Sequence, residues 1–206
     1  DKAFLSLPPP PLVAYSLMAY ASCRDVRQIV LVVRRNRIEA AKSMALMFGI
    51  SKLRAVVSGG TKRQDSVRKG LEALPPETRY VSIHDAARPL VTPELISETI
   101  KSAQKYGSGV AGRRIVDTVK LVEKTTVVSR TIDRSQLWTV QTPQTFQLEL
   151  IQKAYEHLAE TGADVTDDAA ALEEIGETVR LVEWPHANLK VTVPEDLTVA
   201  ASLLRI

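Results

Sequence analysis

Short apolar runs alternate with stretches of helical periodicity along most of this chain, and that alternation restricts the fold more than any other feature. Residues 28–33, 54–58 and 80–83 read as strands, while 12–21, 37–48 and 63–74 carry the apolar spacing of helices. Strands and helices taken in turn imply an α/β fold, with a mostly parallel sheet covered by helices on both faces. A further helix is announced by Thr92-Pro93-Glu94, a capping residue followed by proline at the first helical position. At 206 residues the chain can bury a substantial core as a single domain, 1–206, folding alone or as a dimer.

The rhythm then breaks. Residues 109–122 and 126–140 are rich in β-branched side chains and hold no helical stretch, so an extended β-arm within about 113–140 interrupts the alternation. Such an arm can pair with a second copy. Helical pattern returns at 147–160 and 167–175, strands are expected at 179–183 and 189–193, and a helix follows Pro194-Glu195-Asp196. No repeat is visible, and Pro8 to Pro11 form the one low-complexity patch, read as a rigid turn.

Charge and cysteine usage remove several function classes. The net charge of +3 is small and the basic residues are spread, which points away from nucleic acid and membrane surfaces and toward phosphorylated small molecules. One cysteine, Cys23, excludes an internal disulfide framework, and no stretch is long and apolar enough to span a bilayer. A reducing cytoplasm is expected, or a plastid if a transit peptide has been removed. His84, His157 and His186 are too scattered for a zinc site, and Trp138 and Trp184 read as packing or arm contacts.

Chemistry is expected where Ile83-His84-Asp85-Ala86-Ala87-Arg88-Pro89 follows the 80–83 strand. Ligands of open α/β sheets bind at the carboxyl ends of strands. There an acid can meet a metal or hydroxyl, small residues admit a ligand to the backbone, and an arginine can grip an anion. A structural ion pair fits the same residues. Gly59-Gly60-Thr61-Lys62-Arg63-Gln64-Asp65-Ser66 joins a strand to a helix without the Gly-Lys-Ser/Thr ending of a P-loop. It is either an ordinary turn or a place where the Gly59 and Gly60 amides and Ser66 meet a base or ribose. Thr166-Asp167-Asp168 suits a helix cap with dipole-matched acids, Asp168 included, leaving Thr166 facing outward. Lys190, expected on a strand, is either a solvated charge or one aimed at phosphates.

The order of these pieces carries more than any one of them. Gly59-Gly60 with Arg63-Gln64-Asp65-Ser66-Val67, the Asp85 segment, Asp117-Thr118-Val119-Lys120, Gln141-Thr142-Pro143-Gln144, Thr166-Asp167-Asp168 and Asn188-Leu189-Lys190 closely resembles the 2-C-methyl-D-erythritol 4-phosphate cytidylyltransferases. Members of that family open with a strand and a glycine-rich loop, roughly Ala-Ala-Gly-x-Gly-x-Arg. The present sequence opens at Lys2-Ala3-Phe4-Leu5, which is similar to the segment after that loop, with Asp1 where proline is usual.

The resemblance implies a Rossmann-like nucleotidyltransferase that joins CTP to 2-C-methyl-D-erythritol 4-phosphate with Mg²⁺, as a homodimer built through the β-arm. It implies that Lys2 neutralises triphosphate charge, that Gly59, Gly60, Ser66, Asp85 and Ala86 hold the nucleotide, and that Asp85 lies near the Mg²⁺ shell and the substrate hydroxyls. Arg88, Thr142, Thr166 and Lys190 then line the polyol phosphate site, and Arg134 reaches that phosphate in the partner subunit. Ribitol-5-phosphate cytidylyltransferases share most of these motifs and stand as the alternative within the same chemistry. An inactive nucleotide-binding or dimerisation module is the alternative of another class, if the glycine-rich loop is truly absent.

Overall fold

The computed structural model describes residues 10–123 and 125–205, so Lys2, Pro8 and Pro9 lie outside the described residues. The elements run α1 (Leu12–Ser22), β1 (Ile29–Val33), α2 (Ile38–Met47), β2 (Leu53–Ser58), α3 (Arg63–Glu72), β3 (Tyr80–Ile83), α4 (Pro93–Tyr106) and β4 (Ser108–Arg114). They continue as β5 (Val119–Val122), β6 (Val128–Ile132), β7 (Trp138–Gln147), α5 (Leu148–Thr161), α6 (Asp168–Glu174), β8 (Leu181–Glu183) and α7 (Glu195–Leu204).

Local chemistry sets the helix ends. Thr92 accepts the Leu95 amide at 3.3 Å before Pro93, and α4 stops at Gly107, whose φ of +83° is one that glycine adopts without strain. Between them Leu95, Ile96, Thr99, Ile100 and Ala103 form one buried stripe against the sheet. The same pattern on α5 buries Leu148, Ile151, Ala154, Tyr155 and Leu158, and Gly162 at φ +70° closes that helix.

The sheets are mixed rather than mostly parallel among the described residues. β1 and β2 pair in parallel, and a four-stranded sheet runs β3-β7-β4-β8, with β4 parallel to β8 and β7 antiparallel to both β3 and β4. The arm is the physical reason. A chain that leaves β4, makes a hairpin and returns beside β4 without a crossover helix must run the opposite way. That hairpin is β5-β6, which among the described residues pairs with no other strand and exposes Leu121, Val122, Val127 and Val128.

The expected strand at 189–193 does not form. Val191 donates one backbone bond to the Ala87 carbonyl at 2.8 Å, while the Thr192 and Val193 amides are taken by the Asp196 carboxylate at 2.7 and 3.1 Å. Amides capped by a side chain cannot join a ladder. The outcome still serves the site, because it presses residues 188–191 against the 85–88 loop.

Three apolar clusters support these layers. The first joins α1, β1, α2 and α4 around Val13, Leu31, Ala41 and Leu95, and the second joins β4, β7, α5 and α6 around Val110, Phe146, Ile151 and Leu172. A small third one seats α7 through Leu12, Val191 and Ala200. Among the described residues no helix is long and apolar enough to cross a membrane.

Candidate functional site

Asp85 follows β3 and stands between two cations from distant parts of the chain. Lys190 Nζ donates to its Oδ2 at 2.6 Å and Arg63 Nε to its Oδ1 at 3.3 Å. Burial by itself would raise the Asp85 carboxyl, but Arg63 and then Lys190 outweigh it and hold the group below the ordinary carboxylate range. Asp85 is therefore a fixed anion.

Arg63 is anchored from behind. Its Nη1 and Nη2 reach the two oxygens of Asp168 at 3.1 and 2.7 Å, and the Tyr155 hydroxyl donates to the same carboxylate at 2.6 Å. Asp168 is an acid of the first turn of α6, as expected, but it is fully buried and has a second role. Asp167 is the cap, accepting the Ala170 amide at 2.9 Å, while Asp168 turns inward to neutralise an arginine. Removing Arg63 would leave the Asp168 charge buried without its cation, which is costly. Burial opposes the Arg63 charge, yet Asp168 and then Asp85 keep its pKa raised.

A second network fixes the loop from the other side. The Asp85 amide donates to Thr142 Oγ1 at 3.1 Å, and that oxygen lies 3.0 Å from His84 Nδ1. His84 Nε2 lies 3.3 Å from the Arg88 carbonyl, which can only accept. Ser16 Oγ lies at the same 3.3 Å from Nε2, and the tautomer with its proton on Nε2 serves the Arg88 carbonyl while Nδ1 accepts the Thr142 hydroxyl. Burial drives His84 down to about 4, with Asp85 opposing, so the ring is neutral at working pH. Thr142 is itself buried, and its hydroxyl serves this network.

Arg88 donates from Nη1 to the Asn188 carbonyl at 2.7 Å, while its Nε and the Asn188 Oδ1 are buried without a hydrogen-bond partner among the described residues. Unsatisfied buried polar atoms beside an arginine suit a site that a ligand completes. Asn188 in turn donates to Gln141 Oε1 at 3.0 Å and to the Thr142 carbonyl at 2.9 Å, which ties residues 188–190 to β7.

Beside this cluster lies a cleft of about 460 Å³ lined by Val32, Gly59, Gly60, Lys62, Arg63 and Ser66. Gly60 is dictated by packing: a Cβ there would sit 2.2 Å from that of Asp65. Ser66 Oγ accepts the Gly60 amide at 3.1 Å, and Asp65 caps Lys62 at 3.0 Å, so this turn is organised by its own side chains. Arg63 is the bridge, since it lines the cleft and touches Asp85. A larger hollow of about 640 Å³ lies between α2 and β2 and is lined by none of these residues.

Of the residues expected from the sequence, Asp85, Arg88, Thr142 and Lys190 come together, Ala86 packs against the first core cluster, and Gly59, Gly60 and Ser66 line the adjoining cleft. Thr166 is exposed just before the α6 cap. Arg134 is on the arm, exposed, donating to the Val116 carbonyl. The sequence reading gave no site role to Arg63, Asp168, His84 or Asn188. Arg63 lies in the 59–66 motif, but its carboxylate partners are 22 and 105 positions away and no local pattern marks them.

Among the described residues no group of three or more His, Cys, Asp or Glu side chains could hold a metal ion, and both Asp85 oxygens already face cations. The described residues do not form a resident divalent-cation site.

Residues 1–206 match the family described as 2-C-methyl-D-erythritol 4-phosphate cytidylyltransferase. The chain is 39% identical over 206 residues to the enzyme of that name from Alkaliphilus oremlandii, covering 100% of this chain and 87% of that one. It is 40% identical over 205 residues to the one from Dehalococcoides mccartyi strain CBDB1, covering 100% and 88%. Its fold is similar to 4-diphosphocytidyl-2C-methyl-D-erythritol synthase from Anaerococcus prevotii, with a TM-score of 0.91 at 28% identity and coverage of 100% and 91%. The 2-C-methyl-D-erythritol 4-phosphate cytidylyltransferase of Thermus thermophilus gives a TM-score of 0.86 at 30% identity, covering 100% and 94%.

Proposed function

The chain belongs to the 2-C-methyl-D-erythritol 4-phosphate cytidylyltransferase family, and on that premise we propose how its Asp85 site performs the reaction. It is a Rossmann-like nucleotidyltransferase of isoprenoid precursor synthesis, transferring a cytidylyl group from CTP to 2-C-methyl-D-erythritol 4-phosphate. The products are 4-diphosphocytidyl-2-C-methyl-D-erythritol and diphosphate. In our reading a phosphate oxygen of the polyol attacks the α-phosphorus of CTP in line, forming one P–O bond as the bond to the departing diphosphate breaks. Two anions must meet, so catalysis rests on positioned cations.

The observation that carries this reading is the Lys190–Asp85 pair at 2.6 Å, joined through Arg63 to the Gly59–Ser66 cleft. Gly59, Gly60, Ser66 and Ala86 hold the cytidine. Lys190 and Arg88 receive the polyol phosphate, the buried and unpartnered Arg88 Nε supporting an anion there. Asp85 takes substrate hydroxyls, Thr142 holds Asp85 in place, and Thr166 closes the rim. Lys2, outside the described residues, neutralises the triphosphate in this reading. Mg²⁺ arrives on the phosphates of CTP as part of that substrate, as suits an ion bound largely through phosphates and water.

The enzyme is further proposed to be one cytoplasmic domain, 1–206, that dimerises through the arm at about 113–140 and brings Arg134 to the partner's phosphate site. A lone two-stranded hairpin with exposed valines is marginal in water, which favours a covering subunit. The test is diphosphate release from CTP and Mg²⁺ with each polyol phosphate in turn. Turnover with 2-C-methyl-D-erythritol 4-phosphate is expected, and a clear preference for ribitol 5-phosphate would overturn the assignment.

A further inference from the structure

Lys190 spends one of its three N–H donors on Asp85 at 2.6 Å, and a grip on a substrate phosphate draws its ammonium away from that carboxylate. If it leaves, a largely buried carboxylate loses a counter-charge, and a bare anion in such a place is costly. One other group in the cluster prevents this. Arg63 Nε remains on the opposite oxygen of Asp85 at 3.3 Å, while the other end of its guanidinium is clamped by the fully buried Asp168, itself held by Tyr155. A planar fork can serve two carboxylates at once, whereas an ammonium on a flexible stem cannot hold both in fixed geometry.

We infer that Arg63 is a positioning residue: anchored on Asp168, it holds Asp85 from the nucleotide side so that Lys190 can exchange from Asp85 onto the incoming polyol phosphate. This rests on the cytidylyl-transfer reading above. Among the described residues, the charged and titratable groups that face Asp85 are Arg63 from α3, Lys190 from the segment after β8, and His84 and Arg88 from its own loop. His84 is neutral and engaged with Thr142, and Arg88 is turned toward Asn188, so among the described residues Arg63 is the cation placed to take over as Lys190 departs. The arrangement also joins the two substrate regions through one side chain, since Arg63 lines the cleft that receives the nucleotide.

The discriminating variant is Arg63→Lys, which keeps a cation for Asp168 but cannot bridge to Asp85. With its folding verified by thermal melting, steady-state kinetics should be measured against each substrate separately and across pH. The KM for the polyol phosphate is expected to rise about tenfold, as losing one charge-assisted hydrogen bond would give. The KM for CTP should stay within about twofold on the same scale. The acidic limb of kcat/KM should move to higher pH, because Asp85 has lost a cation that held it ionised. A folded Arg63→Lys protein with wild-type constants and an unmoved acidic limb would overturn the inference, and so would a rise confined to the KM for CTP. Should Arg63→Lys not fold, the double variant Arg63→Gln with Asp168→Asn leaves no bare buried charge and is held to the same outcomes. Failure of the wild-type protein to turn over either polyol phosphate would instead overturn the underlying reading.

Discussion

Lys190 and Asp85 are 105 positions apart in the chain and 2.6 Å apart in space, Nζ to Oδ2. Nothing regular in the backbone brings them together. Lys190 reaches Asp85 because Asn188 is pinned to β7 and Val191 to Ala87, which leaves the intervening lysine over the end of β3. A cation set by its neighbours in this way is pre-positioned for an anionic substrate.

Lys190→Ala should lower turnover by about a hundredfold or more, the usual scale for losing one charge-stabilising donor. Its melting temperature should change little, because Asp85 keeps Arg63. Diphosphate release and thermal denaturation on one preparation check this, and near-normal turnover would return Lys190 to the role of a solvated surface charge.

His84 predicts an acid-sensitive stability. Its folded pKa of about 4 lies below the ordinary value, so the unfolded chain binds the proton first as pH falls. The contribution, about 3 kcal/mol, is complete above about pH 6.5 and lost on descending to about pH 4. Urea denaturation at pH 7 and pH 5 should show a smaller drop in a His84→Gln protein than in wild type. Nitrogen-15 spectra of the histidine ring should report the proton on Nε2, and an Nδ1 proton would contradict the network.

Gly60→Ala should destabilise the protein by about 1–3 kcal/mol, the range for forcing a methyl into a filled space. The clash falls on the Asp65 side chain, which caps α3. Because Ser66 on α3 lines the nucleotide cleft and accepts the Gly60 amide, the same change should raise the KM for CTP. Calorimetric melting and substrate titration test both parts, and an unaltered melting temperature would mean that the α3 turn gives way freely.

Mixing Arg134→Ala with Lys190→Ala chains tests the arm. If Arg134 serves the partner's site, half the dimers are mixed and half of their sites are whole, so activity should recover to about a quarter of wild type. Each parent should be nearly inactive alone. No recovery after verified subunit exchange would place Arg134 in its own subunit's site or outside catalysis.

Much of this architecture is written in local sequence. The alternation of apolar runs, the Thr92-Pro93 cap and the stripe from Leu95 to Ala103 depend on neighbours a few residues apart, and they fix where helices and strands begin, end and bury themselves. The strand-end position of Asp85 and the break that becomes the arm are legible for the same reason. What the chain does not state locally is which distant group each polar side chain meets. Asp167 and Asp168 are adjacent and chemically identical, yet one caps a helix in partial contact with water while the other is buried against Arg63, 105 residues away. The antiparallel entry of β7, the failure of 189–193 to pair, and the sharing of Asp85 between Arg63 and Lys190 were likewise decided by the assembled fold. Periodicity encodes how much of an element is buried, but a hydrogen bond depends on position to within a few tenths of an ångström, and that precision exists only once the layers have packed.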